Sequence, residues 1–315
     1  MKRPPRHLQH IKPFTGKPRV RINRTPEPPP VRQKLAPPEA PRVIVIFGPT
    51  SSGKTTLSLE LAERLPKLIG REIEVVGADS RQVYVGMNIG TSKVGREITE
   101  RIPHHCIDMR PPDKMVGLAE YQAFTLQRIK GIHARGNVPV MVGGTGSYIL
   151  SVTENWNVGE DLRPGEENFK DRGKGLALVR ATYFRSTLGM NKIVTRIDNA
   201  VDFMIENGLT EEVIRLWEQY KLWEPNRLQR NALWHTHGYR EFLEQAHAVA
   251  PIRLNPTRKE LPAIVEAIKE HTRAYALRQW SWQKKMPPVT PVASGAELAR
   301  KVQETGFLGA TKPAP

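Results

Sequence analysis

Gly48-Pro49-Thr50-Ser51-Ser52-Gly53-Lys54-Thr55 follows the apolar run Val43 to Phe47 and precedes Leu57, Leu61 and Leu65, each one helical turn from the next. A G-x-x-x-x-G-K-T loop between a strand and a helix leaves a chain few folds to choose from. Its glycines let the backbone curl so that successive N–H groups converge on phosphate oxygens, and the positive end of the following helix favours an anion. The pattern specifies a phosphate and leaves the rest of the ligand open.

The remainder of the first half supplies the sheet that such a loop needs. Ile73 to Ala78 reads as a second strand ending at Asp79-Ser80, and Val138 to Val142 as another ending in Gly143-Gly144-Thr145-Gly146. Between them, Ala119 to Arg135 carries Phe124, Ile129 and Ile132 at helical spacing. Strands alternating with helices predict a parallel α/β sheet covered on both faces, with ligands beyond the carboxyl ends of its strands. The loop at Gly48, Asp79-Ser80 and the Gly143 turn are therefore expected to share one cleft. Beyond Met190 the chain reads as helical: Ile193, Ile197 and Val201 form one stripe, and Leu209, Val213, Leu216 and Tyr220 a second. A last helix is predicted from Glu260 to about Lys285, with Leu261, Ile264, Ile268 and Tyr275 inward and Pro287-Pro288 as its stop. The expected division is a disordered basic arm over 1–41, an α/β core over 42–153, a linker over 154–190, a helical part over 191–288 and a mobile tail over 289–315.

The arm is expected to be disordered because it is dense in proline and charge. The first 42 residues carry eleven Lys or Arg against Glu27 and Glu39, within a chain of formal net charge +16. Such an excess suits a polyanionic partner. A solubilising tail is the alternative, and an organellar transit peptide a third, disfavoured by the scarcity of serine. A single cysteine, Cys106, excludes an intrachain disulfide framework and a cysteine-rich zinc site, and fits a reducing compartment. No apolar run approaches the roughly 18 residues that a membrane span needs. A soluble, cytoplasmic protein without a membrane partner is expected.

Within the expected cleft, the third strand ends in Gly143-Gly144-Thr145-Gly146, where a nucleotide hydrolase would carry a Mg²⁺-holding aspartate; this disfavours ATP hydrolysis. Asp79 has two readings, a base that accepts a proton from an attacking nucleophile or a side chain that caps a turn. His235 and His237, with no neighbouring thiolate or carboxylate cluster in sequence, are weak metal ligands, and no metal is expected there. His104 and His105 read as turn or packing residues. In the last helix, Lys269, Arg273, Arg278, Lys284 and Lys285 alternate with Tyr275, Trp280 and Trp282. That pattern suits RNA, and equally a core aromatic row under solvated charges.

Together these segments resemble the tRNA dimethylallyltransferases. The resemblance rests on Gly48 to Thr55, Ala78 to Lys93, Pro103 to Asp108 and Gly143 to Tyr148, in the family's order. It continues in Arg196-Ile197-Asp198, Gly208-Leu209 with Glu211-Glu212-Val213, His237 to Glu241, and Thr272 to Gln279 with Trp282. It spans about residues 43 to 285 apart from the middle, and the motifs are jointly specific.

The resemblance implies a P-loop NTPase-like parallel sheet flanked by helices, with a C-terminal helical part. It implies transfer of a dimethylallyl group from its diphosphate to N6 of the adenine next to the anticodon, position 37, with the tRNA anticodon stem-loop as partner and a monomeric enzyme. Gly48, Pro49, Thr50, Ser51, Ser52, Gly53, Lys54 and Thr55 would bind the diphosphate, Lys54 neutralising it and Thr55 placing Mg²⁺. Asp79 matches the base that takes the N6 proton, and Thr50 and Thr145 match channel-lining positions. Arg196 matches a diphosphate clamp, or is a surface charge. Asp79, Ser80, Arg81 and Gln82 match the segment that holds the flipped adenine, with simple loop polarity as the alternative for Ser80 and Gln82. His235, Thr236, His237, Gly238, Tyr239 and Arg240 match a second tRNA-contacting segment.

The sequence departs from the family in three places. Leu277 stands where the family has a lysine, and His235-Thr236-His237 replaces small or apolar residues. Tyr148 and Arg196 are also far closer in sequence than in the family, whose longer segment includes an insertion that embraces the anticodon stem and an Arg-rich helix. Either the basic arm compensates for the looser grip, or the chain is a catalytically impaired tRNA-binding homologue. A small-molecule P-loop kinase and a prenyltransferase acting on free adenylate are the remaining alternatives.

Overall fold

The computed structural model describes residues 36–156, 158, 176–224, 226–248 and 254–306. Most of the basic arm and most of the expected linker, 157 and 159–175, lie outside the described residues. The chain runs β1 (Arg42–Phe47), α1 (Lys54–Ile69), β2 (Ile73–Ala78), α2 (Arg96–Arg101), β3 (His104–His105), α3 (Leu118–Ala134), β4 (Val138–Gly143), α4 (Gly146–Thr153) and β5 (Arg180–Ser186). It continues with α5 (Met190–Glu206), α6 (Leu209–Tyr220), α7 (Arg240–Ala248), α8 (Leu261–Ser281), β6 (Val289–Val292) and α9 (Gly295–Glu304).

The strands form a six-stranded sheet in the order β3-β2-β4-β1-β5-β6, every neighbouring pair parallel. Parallel sheets bury both faces, which is why β1 reads as an unbroken apolar run. Its alternate side chains divide between the faces. Ile44 and Ile46 join Leu57, Leu61 and Leu65 of α1 and Leu298 and Val302 of α9 in one core. Val43, Val45 and Phe47 join Tyr121, Ile129, Tyr148, Ile193 and Ile268 in the other. From β1 the chain first moves to one side of the sheet and later, at β5, to the other. The loops after β1 and β4 therefore meet at a topological switch point, where an open sheet leaves a crevice.

Two boundaries of the expected division are corrected. β5 lies within the stretch expected to be a linker, yet it pairs with β1 from Arg42↔Arg180 to Ile46↔Phe184. Its sequence, RATYFRS, buries fully only Tyr183 and Phe184, so it carries little apolar signal. Residues 289–306 are not a mobile tail. β6 continues the sheet beside β5, and α9 packs on α1, where the Gly295 N–H donates to the Glu60 carboxylate at 2.6 Å. Pro291 lies within β6, and proline is compatible with an edge strand, where a missing N–H removes no ladder bond. The last long helix ends at Ser281 and tightens into a 3-10 turn, Trp282–Lys285, before the prolines.

Candidate active site

The phosphate loop joins β1 to α1. Gly53 takes a left-handed φ of 86° just before the helix starts at Lys54, a conformation that only glycine adopts freely. The Lys54 ammonium donates to the Pro49 carbonyl at 2.6 Å, folding back over the loop. Burial lowers its pKa to about 8, with the Asp79 carboxylate opposing that shift. Ser52 Oγ is buried and has no hydrogen-bond partner. A buried hydroxyl left so is costly unless a ligand satisfies it, so the loop suits a phosphate oxygen. Thr55 is exposed beside it and lines the cleft.

Asp79 ends β2. Its Oδ1 accepts the Arg81 N–H at 2.8 Å, so it does cap a turn, and the residue also lines the cleft. The two sequence readings of Asp79 are thus compatible: the turn orients the carboxylate that the cleft presents. The Ser80 N–H donates to Thr145 Oγ1 at 3.0 Å, and the two hydroxyls are 3.4 Å apart. Gln82 Nε2 donates to the Thr91 and Ser92 carbonyls, which spends part of its hydrogen-bonding capacity inside the loop. Arg196 projects from α5, its guanidinium 3.4 Å from where a side chain on Gly53 would begin. Arg196 thus stands beside the phosphate loop and is solvent-exposed.

Thr50, Lys54, Asp79, Gln82 and Arg196 line a cleft of about 470 Å³ at the carboxyl end of the sheet. The loop residues Thr50, Ser51, Gly53, Lys54 and Thr55 contribute to its lining, as do the apolar side chains of Val94, Ile107 and Val142. Such a lining offers cationic and N–H groups for an anion and apolar surface for hydrocarbon in one cleft.

The second expected tRNA-contacting segment is corrected in part. Tyr239 is fully buried and donates to Glu212 Oε1 at 2.6 Å. Thr236 is buried and donates to the Ala232 carbonyl. Neither side chain is available to RNA; both hold the loop in place. His235 Nε2 contacts the Gln229 carbonyl, His237 and the Gly238 N–H engage Glu241, and Arg240 pairs with Glu244 while lying over Trp234. In α8, Lys269 and Arg273 are tied to Asp202 and Asp198 of α5, so these two charges lock helix to helix instead of facing a partner. His105 bonds Glu74 at 2.7 Å, as a packing residue would.

Sequence reasoning assigned no role to Gln279, Asn199 or Glu212. Gln279 is buried on α8, and its Oε1 accepts the Thr50 N–H of the phosphate loop at 2.7 Å. A side chain on Gly144 would begin 2.2 Å from Gln279 Nε2, and one on Gly146 would begin 2.4 Å from the Trp282 ring. The glycines after β4 thus make room for α8 and the 3-10 turn that follows it to pack against this loop. Asn199 stands one turn after Arg196 and lines the same cleft. Glu212 accepts N–H groups of Asn88, Ile89 and Gly90 together with the Tyr239 hydroxyl, fixing the loop that follows Asp79. The only sequence signal for Gln279 and Glu212 was their place inside quoted motifs.

The IPP transferase family model matches residues 82–183 and 166–286. A tRNA dimethylallyltransferase of Anoxybacillus flavithermus is 30% identical over 298 residues, covering 79% of this chain and 89% of the relative. The solved full-length tRNA isopentenylpyrophosphate transferase of Bacillus halodurans matches with a TM-score of 0.66 at 25% identity, over 85% of this chain and 96% of that one. The tRNA delta(2)-isopentenylpyrophosphate transferase of Staphylococcus epidermidis matches with a TM-score of 0.65 at 28% identity, over 84% and 98%.

Proposed function

The chain belongs to the IPP transferase family, and from that premise we propose that it transfers a dimethylallyl group from dimethylallyl diphosphate to N6 of adenine 37 in tRNA, releasing diphosphate. The observation that carries this reading is a single cleft lined by Lys54, Arg196 and Asp79 together with the apolar side chains of Val94, Ile107 and Val142. The loop N–H groups, Lys54 and Arg196 take up the charge that grows on the leaving diphosphate. N6 attacks the allylic carbon, the carbon–oxygen bond to diphosphate breaks, and the N6 proton passes to the Asp79 carboxylate. Thr50 and Thr145 flank the path, and Ser80 and Gln82 hydrogen-bond the base after it leaves the anticodon stack, a cost of about a few kcal/mol that a loop keeps low.

Mg²⁺ suits the hard oxygen donors at the loop, where the Thr55 hydroxyl would hold it; when bound it would neutralise the diphosphate. Cytoplasmic tRNA is the substrate pool that this reading implies. The buried Thr236 and Tyr239 act by positioning the loop that carries the exposed His235 and the half-buried His237.

The test is incubation of the full chain with tRNA and labelled dimethylallyl diphosphate, followed by mass spectrometry of adenine 37. Label enters the adenine with the wild-type protein. With Asp79→Ala, transfer falls by about a hundredfold or more, the scale of a lost general base, while tRNA binding persists. Binding without transfer by the wild type would overturn the assignment in favour of an impaired homologue. Movement of label from ATP instead would identify a kinase.

A further inference from the structure

His237, Glu241 and His271 are given no part in the transfer step above, and two parts of the fold deliver them, the entry of α7 and the middle of α8. His237 precedes α7, Glu241 lies in its first turn, and His271 comes from the middle of α8. One ligand atom from each lies within 4.8 Å of the others. His237 Nδ1 is 3.3 Å and His271 Nδ1 2.7 Å from the same atom, Glu241 Oε1. The other carboxylate oxygen, Oε2, is occupied by the Gly238 N–H at 2.8 Å. That backbone bond fixes the carboxylate and turns a single oxygen toward the two imidazoles. The Glu241 side chain is only 2% exposed, whereas those of His237 and His271 are 27% and 39% exposed.

We propose that His237, Glu241 and His271 form a binding site for a divalent transition-metal ion of the Zn²⁺ type. Two imidazole nitrogens and one carboxylate oxygen are a donor set that such ions favour. Tetrahedral bonds of about 2.0–2.1 Å place ligand atoms roughly 3.3 Å apart. The His237–Glu241 separation of 3.3 Å already has that value, and the His271–Glu241 hydrogen bond at 2.7 Å must open by roughly 0.6 Å. The Gly238 N–H supplies the outer-shell contact that orients a metal-bound carboxylate. Both imidazoles are partly exposed, so water completes the coordination. The bound ion ties the entry of α7 to α8, the helix that carries Gln279 to the phosphate loop. The sequence alone points away from this site: its nearest histidine pair, His235 and His237, is the wrong one, and the true partner comes from α8.

The test uses the full chain, stripped with a chelator and titrated calorimetrically with ZnCl₂ near neutral pH. One ion binds per chain with sub-micromolar affinity, and the melting temperature rises with Zn²⁺ concentration. The double variant His237→Ala/His271→Ala loses at least about a hundredfold in affinity, as removal of ligands demands. His271→Asn retains a donor for Glu241 and so guards against misfolding; its apo melting temperature stays near wild type while its Zn²⁺ response disappears. X-ray absorption of the zinc complex shows two imidazoles and oxygen donors. Absence of saturable binding overturns the proposal. So does binding that the double variant leaves intact, which places the ion elsewhere, as on His7 and His10. Failure here is distinguishable from failure of the transfer reaction, because calorimetry reads zinc binding and mass spectrometry of adenine 37 reads transfer.

Discussion

At the residue scale, Lys54 sets a pH limit on diphosphate capture. Burial holds its pKa at about 8, below the ordinary lysine value of 10.5, and the charged form is the one that binds an anion. As pH rises through about 8 the free enzyme loses that charge, so kcat/KM for dimethylallyl diphosphate should fall between pH 8 and 9. Lys54→Met should start low and show no such decline in steady-state assays. Gln279 acts through position alone. Gln279→Ala frees the Thr50 N–H and should raise KM for dimethylallyl diphosphate by roughly tenfold, the equivalent of about 1.4 kcal/mol, the scale of one hydrogen bond. Little change in kcat, and no change in tRNA binding, distinguishes this from general damage. Gly48 to Thr55, Asp79 and Thr145 were legible in sequence because local motifs define them. Gln279 was not, since its contact with Thr50 spans 229 positions and exists only once α8 has docked.

At the scale of elements, two buried carboxylates join pieces of the fold that local sequence does not connect. Glu212 of α6 collects the backbone N–H groups of residues 88–90, and its replacement by alanine strands several donors at once. Glu212→Ala should lower stability by about 3 kcal/mol, measurable by urea unfolding, from the cost of orphaned partners to a charged group. Glu74 of β2 ties together Arg135, Asn137 and His105. Burial opposes its ionisation, but the hydrogen bonds from Arg135, Asn137 and His105 outweigh that and lower the pKa to about 2, against 4.5 in the unfolded chain. A depressed carboxylate contributes stability that is complete above its unfolded pKa and lost as pH falls through its folded one. Acid destabilisation should therefore include a component between about pH 4.5 and 2 that Glu74→Gln abolishes; an unaltered pH profile of Tm would contradict it. The strands β1, β2 and β4 were legible as short, mostly apolar runs, β2 despite Glu74. β5 was not, because its exposed polar positions dilute the pattern, and β6 was hidden by its proline.

At the scale of the whole molecule, sequence motifs carried the architecture well because a parallel sheet places successive loops at one edge, so three loops far apart in sequence had to meet. What they could not carry is how the chain grips RNA. The segment between Tyr148 and Arg196 is short for the resemblance it bears, Lys269 and Arg273 are spent on α5, and much of the net charge of +16 resides before β1. Charge outside the sheet is useful to a tRNA enzyme because each phosphate contact releases condensed counterions, making affinity steeply salt-dependent. Deleting residues 1–40 removes ten Lys or Arg. The truncated chain should bind tRNA at least about tenfold more weakly at low salt, with a shallower slope of log affinity against log salt concentration. Its turnover at saturating tRNA should equal that of the full chain, since the cleft is built entirely from residues beyond the deletion. Equal affinity of the two forms at low salt would show that the folded body alone holds the RNA.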